Sequence, residues 1–226
     1  MKIIAVIQAR MNASRLPNKM MLSLHGIPII DWVTTRIKKA ELLNDFVVAV
    51  PDSKENDILA NYLKTQKINV FRGSPDDVLG RIYQAAAGFS PHFVVRVCAD
   101  NPLVSGLEID NLINFYYTNK CDYAYNHIPL NNTYPDGLGA EILSFKLLEE
   151  IEKNAKEKSH REHCCNYIKE NPDLYKTATF NPKDEEIAYP NLKFDIDTFE
   201  DYYYLSSKYF TPEIKDRELI KLFLKP

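Results

Sequence analysis

Lys2-Ile3-Ile4-Ala5-Val6-Ile7-Gln8 runs directly into Ala9-Arg10-Met11-Asn12-Ala13-Ser14-Arg15-Leu16-Pro17-Asn18-Lys19. The first seven residues are apolar and β-branched and read as a buried strand. They are too few for a membrane helix, which needs about 20 apolar residues, and lack the form of a signal peptide. The following stretch is a polar loop carrying Arg10, Arg15 and Lys19. No Asp or Glu occurs in the first 30 residues. With 31 acids in 226 residues, chance gives such a gap about 1% of the time.

Outward from this strand the pattern repeats. Pro28 opens an amphipathic helix to about Ala40, and Phe46 to Val50 is a second buried strand. Ser53 caps a helix to about Lys64. Ile68 to Phe71 is a short strand, and Pro75 starts a helix to about Ala87. His92 to Val97 is a strand, and Glu108 to Tyr117 a helix. Strands alternating with helical stretches of this length indicate a mainly parallel α/β sheet covered on both faces. Beyond Cys121, Asn126 to Asp136 is a long loop. Then come Ala140 to Leu143, a helix from about Ser144, a second helix after Ser159, strands at Tyr175 to Phe180 and Leu192 to Ile196, and helices at Thr198 to Ser207 and Pro212 to Leu224. The reading is one domain, 1–226, with an inserted lobe near 125–190.

Lys+Arg total 28 and Asp+Glu 31, a net charge of −3, which speaks against binding nucleic acid with the whole surface. No run is long enough to span a membrane. Cys98, Cys121, Cys164 and Cys165 lack CxxC spacing, and reduced thiols in the cytoplasm are expected.

Ligands in open α/β sheets bind at the carboxyl ends of the strands. A basic loop there suits phosphate oxygens, arginine contacting them bidentately and lysine as a point charge. GxxxxGK[ST] and GxGxxG are both absent, so the phosphate ligands are expected to be mostly side chains. Arg96-Val97-Cys98-Ala99-Asp100-Asn101-Pro102 brings an acid to the end of an expected central strand. A carboxylate there suits Mg²⁺, which takes one or two carboxylates plus phosphates and waters; helix capping is the competing reading. Asp195 and Asp197 share one face if their segment is a strand, while Asp197 or Thr198 also suits the cap of the next helix. Ser159-His160-Arg161-Glu162 fits a capping box, and Arg161 and His163 can face a ligand from that helix. His160 and His163 are three apart, but nothing completes a zinc site.

The loop Ala5 to Lys19 resembles the signature of the CMP-sugar synthetases, among them the cytidylyltransferases for Kdo and for sialic-acid-like nonulosonates, and most of all their spore-coat-polysaccharide branch. Phe71-Arg72-Gly73-Ser74-Pro75-Asp76-Asp77-Val78-Leu79, Arg96 to Pro102, Ser159 to His163 and Asp197-Thr198-Phe199-Glu200-Asp201 follow that branch in order. Asn18 stands where the family usually has glycine, and Phe199 where it has proline. The resemblance implies a Rossmann-like, GT-A-like nucleotidyltransferase fold with a dimerising lobe, Mg²⁺ dependence, and transfer of CMP from CTP to a sugar-type acceptor. It implies that Arg10, Ser14, Arg15 and Lys19 hold the CTP phosphates. Gln8, Ala9 and Ala99 are then expected to contact base and ribose through their backbone. Arg72, with Asp77 and Arg81 of the 73–81 segment, is expected to line the pocket. Arg96, Glu141, Arg161 and His163 join the expected substrate site, and Asp100, Asp195 and Asp197 the metal site. The alternatives are a GT-A glycosyltransferase, whose DxD motif Asp195-Ile196-Asp197 matches, and a catalytically silent nucleotide-binding protein.

Overall fold

The computed structural model of the chain describes residues 1–225. Its strands are β1 (Ile3–Gln8), β2 (Ser23–Leu24), β3 (Ile27–Pro28), β4 (Asp45–Pro51), β5 (Val70–Gly73), β6 (Phe93–Cys98), β7 (Tyr123–Tyr125), β8 (Glu141–Ser144) and β9 (Thr177–Thr179). Seven form one sheet in the order β5-β4-β1-β6-β8-β7-β9, and β2 pairs with β3. β1 lies between β4 and β6 and parallel to both, with Val6 opposite Val47 and Arg96. β5 is parallel to β4. β8 runs antiparallel to β6 and β7, and β9 is parallel to β7. The mainly parallel α/β architecture expected from the sequence is what forms.

β1 is apolar at successive positions because it is buried on both faces. Ile3, Ala5 and Ile7 enter one core layer, and Ile4 and Val6 the other. The first layer is closed by α1 (Ile29–Ile37), α2 (Asp57–Thr65), α4 (Gly106–Thr118), α8 (Phe199–Ser206) and α9 (Asp216–Leu224). The second is closed by α3 (Val78–Ala87), α5 (Phe145–Asn154) and α7 (Asn166–Lys169), with the short α6 (Lys158–Glu162) beside α7. The 125–190 stretch supplies α5, α6 and α7 as well as β8 and β9, and both strands join the main sheet.

Local chemistry shifts several expected boundaries. The third helix starts at Val78, after Asp77, whose carboxylate accepts from the Gly80 amide at 2.9 Å; Pro75 lies outside it. Ser53 caps no α-helix, for residues 54–56 form a 3₁₀ turn and its hydroxyl takes the Asn56 amide instead. Ser159 is inside α6, which begins at Lys158, so its capping box does not form. Residues 192–196 are not a strand: they form an isolated bridge between Asp136 and Lys193, and the Ile196 amide donates to Asp100 O at 2.8 Å. The last helix starts at Asp216 and not at Pro212. Among the described residues no helix is long and apolar enough to cross a membrane.

Candidate functional site

The carboxyl end of β1 is fixed from both sides. Past the strand, the Ala9 amide donates to Ala49 O at 3.2 Å and the Ala99 amide to Gln8 O at 3.0 Å. The loop that follows turns back at Asn18, whose φ of 61° is left-handed. Asparagine adopts that region more readily than other non-glycine residues, so the turn survives without the family's glycine. The short 3₁₀ helix Lys19–Met21 then carries Lys19 inward.

Lys19 is the centre of the site. Its side chain is 7% exposed. Nζ donates to Asp100 Oδ2 at 3.2 Å, Asp197 Oδ1 at 3.2 Å and Ile196 O at 2.7 Å, which uses all three ammonium hydrogens. The two carboxylate oxygens are therefore separated by no more than twice 3.2 Å, and Asp100 and Asp197 meet at one place as expected. Arg15 donates to the other oxygen of Asp197 at 2.8 Å and is otherwise open to solvent. Gln8, Arg10, Ser14, Arg15, Lys19, Asp100 and Asp197 all line one cavity of about 120 Å³, together with Ala13, Met20 and Cys98. Burial pushes the Cys98 thiol up to about 12, so it is a neutral wall and not a nucleophile. Among the described residues no protein group accepts from the amides of Asn12, Ala13, Ser14, Arg15 or Leu16. Open backbone donors therefore accompany the side-chain cations in this loop, where phosphate ligands were expected to be mostly side chains.

Asp197 and Thr198 divide the two tasks that the sequence left joined. Thr198 caps α8 in a reciprocal box with Asp201, and Asp197 remains free to meet Lys19. Asp195 does not share a strand face with Asp197. It pairs with Lys193 at 3.4 Å, and Lys193 also holds Asp201 at 2.6 Å. Burial raises the Asp195 carboxyl above its ordinary value, Lys193 opposing and Asp197 and Asp100 reinforcing. Its Oδ1 is buried without a partner.

Other expected residues are spent on structure. Arg72 donates to Pro51 O at 3.0 Å, Ser53 O at 3.0 Å and Asp57 Oδ1 at 2.8 Å. Asp77 pairs with Arg161, which also holds Glu152 Oε1 at 3.1 Å and Glu152 O at 2.7 Å; this ties α3 to α5 and α6. Arg81 is buried with its guanidinium on Ser74 O. Burial, then repulsion from Arg10, lowers it to about 10 against the pull of Asp77. Arg96 pairs with Glu141 beneath the cavity and reaches Gln8 Oε1 at 3.0 Å. His163 is exposed at the end of α6, while His160 is buried and bonds Glu170 Oε2 at 2.7 Å. Among the described residues no group of three or more His, Cys, Asp or Glu is placed to hold a metal.

Sequence reading missed Asp136 and Asn56. Asp136 lay in a stretch legible only as loop, yet its carbonyl accepts from the Phe194 amide at 2.9 Å, placing it beside the acidic segment. Burial, with Asp195 and then Asp100 outweighing Lys193, pushes its carboxyl up to about 6. The folded state thus holds this proton more tightly than the unfolded one, and stability is lost as pH rises from about 4 towards 6. Asp136→Asn is expected to unfold at higher temperature than wild type at pH 7. Its advantage disappears at and below about pH 4, where both side chains are neutral. Thermal melts across that range check this; an equal offset at every pH contradicts it.

A larger cavity of about 500 Å³ lies between α4, α9 and the end of α1. Its buried cation, Arg36, is already bonded to Val104 O, Pro212 O, Ile214 O and Asp216. In the smaller cavity Arg15, 65% exposed, faces open space.

Residues 4–221 match the family model described as cytidylyltransferase. The uncharacterized protein MJ1063 of Methanocaldococcus jannaschii is 39% identical over 203 residues, 89% of this chain and 81% of its own. The spore coat polysaccharide biosynthesis protein SpsF of Bacillus subtilis is 31% identical over 229 residues, 97% of this chain and 93% of its own. The solved structure of a cytidylyltransferase from Leptospira borgpetersenii serovar Hardjo-bovis superposes with a TM-score of 0.89 at 28% identity, covering 100% of this chain and 94% of that one. A nearly full-length family match, with a cationic cavity at the end of the first strand, sets the glycosyltransferase reading aside: the chain belongs to the cytidylyltransferase family and is a nucleotidyltransferase.

Proposed function

We propose that the chain transfers CMP from CTP to a sugar or sugar-like acid, with Mg²⁺, in the synthesis of a surface polysaccharide. The observation that carries this is the single cavity into which one loop brings Arg10, Arg15 and Lys19 opposite Asp100 and Asp197. The family supports the donor, and the likeness to a spore-coat-polysaccharide protein supports the setting.

In this reading an acceptor oxygen attacks the α-phosphorus of CTP, the bond to the bridging oxygen breaks, and pyrophosphate leaves. Arg10 and Arg15 take up the charge on the departing oxygens, Arg15 as a fork free to swing from Asp197. The open amides of residues 12–16 add dipoles of the same sign. Asp100 and Asp197 are hard oxygen donors that line the cavity and converge on one cation, Lys19, while Asp195 stands apart on Lys193. That donor set fits Mg²⁺, which takes one or two carboxylates and completes its shell with water and phosphate. Bound there, the ion supplies charge neutralisation on the phosphates. The same reading includes a homodimer through the 125–190 stretch and a cytoplasmic setting. A 26.1 kDa monomer in sedimentation at micromolar concentration counts against the dimer.

Pyrophosphate release from each of the four nucleoside triphosphates, with a panel of sugar acids and sugar phosphates, tests the proposal. Release confined to CTP with an acceptor present supports it; release with another nucleotide alone, or none with any, removes it. Arg15→Ala is expected to lower kcat/KM for CTP by about 10- to 150-fold, from the loss of a charge-assisted fork worth about 1.5–3 kcal/mol. Stability should hardly change, because the side chain is 65% exposed and Asp197 keeps Lys19. Arg15→Lys recovers only part of the rate.

A further inference from the structure

Asn56 does not line the cavity, yet the loop that does is fastened to it. The residue is fully buried, 0% exposed, at the end of the 3₁₀ turn leading into α2. Its Oδ1 accepts from the Met11 amide at 2.8 Å, and its Nδ2 donates to Ser53 Oγ at 2.9 Å. A main-chain N–H can only donate, so the orientation of the side-chain amide is forced. The carbonyl of Met11 accepts from the Asn18 amide at 2.7 Å, and its side chain is 2% exposed. Met11 is thus pinned at both backbone groups, while the five amides after it find no protein acceptor. The segment carrying Asn56 is itself held, since Arg72 on β5 donates to Pro51 O, Ser53 O and Asp57.

We infer that Asn56 is a positioning residue for nucleotide binding, the last link of a brace running from Arg72 through the 51–57 segment to Met11, which fixes the loop bearing Arg10 and Arg15. It touches neither substrate nor reacting atoms. It acts by keeping the loop's cations and open amides in one arrangement before the nucleotide arrives, so that binding does not have to order them. The inference rests on the nucleotide reading of the cavity. It also gives Arg72, expected from the sequence to line the pocket, a supporting role one residue layer away.

The test compares wild type, Asn56→Ala, Asn56→Asp and Ser53→Ala by CTP titration, steady-state kinetics and hydrogen exchange at the Met11 amide. Asn56→Ala is expected to raise KM for CTP about 10- to 100-fold with kcat changed less than about threefold, since the loop has then to be ordered on binding while its groups remain. Asn56→Asp keeps an oxygen for the Met11 amide and recovers most of the affinity. Ser53→Ala, which alters only a partly exposed hydroxyl and keeps the fold, loosens the Asn56 side chain. It should speed exchange at Met11 and raise KM by a smaller factor, so the inference is decided even if Asn56→Ala fails to fold. Wild type that binds CTP while Ser53→Ala and any folded Asn56 variant bind it equally well overturns the brace and leaves the nucleotide reading standing. Wild type that binds no nucleoside triphosphate overturns both.

Discussion

Lys19→Met is expected to remove at least about 10³-fold of the pyrophosphate-releasing activity, because it deletes the charge around which the site is assembled. Among the described residues no other cation reaches both acids: Arg15 touches Asp197 alone, and Lys193 is engaged with Asp195 and Asp201. Methionine fills the buried slot with a stem of similar length but leaves Asp100 and Asp197 facing each other without a shared partner, and strands Ile196 O. Removing one member of a fully buried ion pair costs about 3–5 kcal/mol. Here the carboxylates are 30% and 31% exposed, so water softens the loss to about 2 kcal/mol. The double variant Lys19→Met/Asp197→Asn separates the two effects. Stability should return towards wild type, since the repulsion is relieved, while activity stays lost. Urea unfolding and initial rates measure each, and a single variant within tenfold of wild-type rate would put the cationic centre elsewhere.

The parallel centre of the sheet was readable from the sequence because its strands are buried on both faces, and burial leaves a composition signature that needs no partner to interpret, whereas the three-residue strand Tyr123–Tyr125 was not read. Ile3–Gln8, Asp45–Pro51 and Phe93–Cys98 each stand where a largely apolar run stood, Arg96 interrupting the third. Residues 192–196 failed the same test for a physical reason. Phe194 and Ile196 are fully buried and alternate with acids, as strand residues do, but the backbone bonds Asp136 and Asp100 at single points instead of forming a ladder. Charged residues were legible by kind and not by employment. An arginine at a strand end reads the same whether it faces phosphate, as Arg10 and Arg15 do in our reading, or grips carbonyls, as Arg72 does. Asn56 was invisible since its role lies wholly in a contact 45 positions away.

Arg96→Met is expected to destabilise the fold more than any change at the cavity rim, by about 3–5 kcal/mol near pH 7. Glu141 is 3% exposed and bonded by Arg96 and by the Tyr123 hydroxyl. Burial works against its charge, and Arg96 foremost, with His127 and Lys169, overcomes this and holds the carboxyl well below the usual range. A carboxyl depressed on folding adds stability above its unfolded value, near 4.3, that is lost as pH falls below it. Without Arg96 that contribution vanishes, and burial favours the protonated acid. The gap between wild type and Arg96→Met should therefore be widest near neutrality and narrow on acidification through pH 4. Denaturant unfolding at pH 7 and pH 4 measures it, and an equal gap at both values contradicts the assignment. Replacing both partners, Arg96→Met/Glu141→Leu, should regain most of the stability, because a buried pair exchanged for apolar residues is often neutral. It should not regain full activity. Arg96 can only donate, so its bond to Gln8 Oε1 obliges that side chain to turn its amide nitrogen away from it, and Gln8 lines the cavity. A double variant that is stable yet slow would thus show the buried pair serving the site as well as the fold.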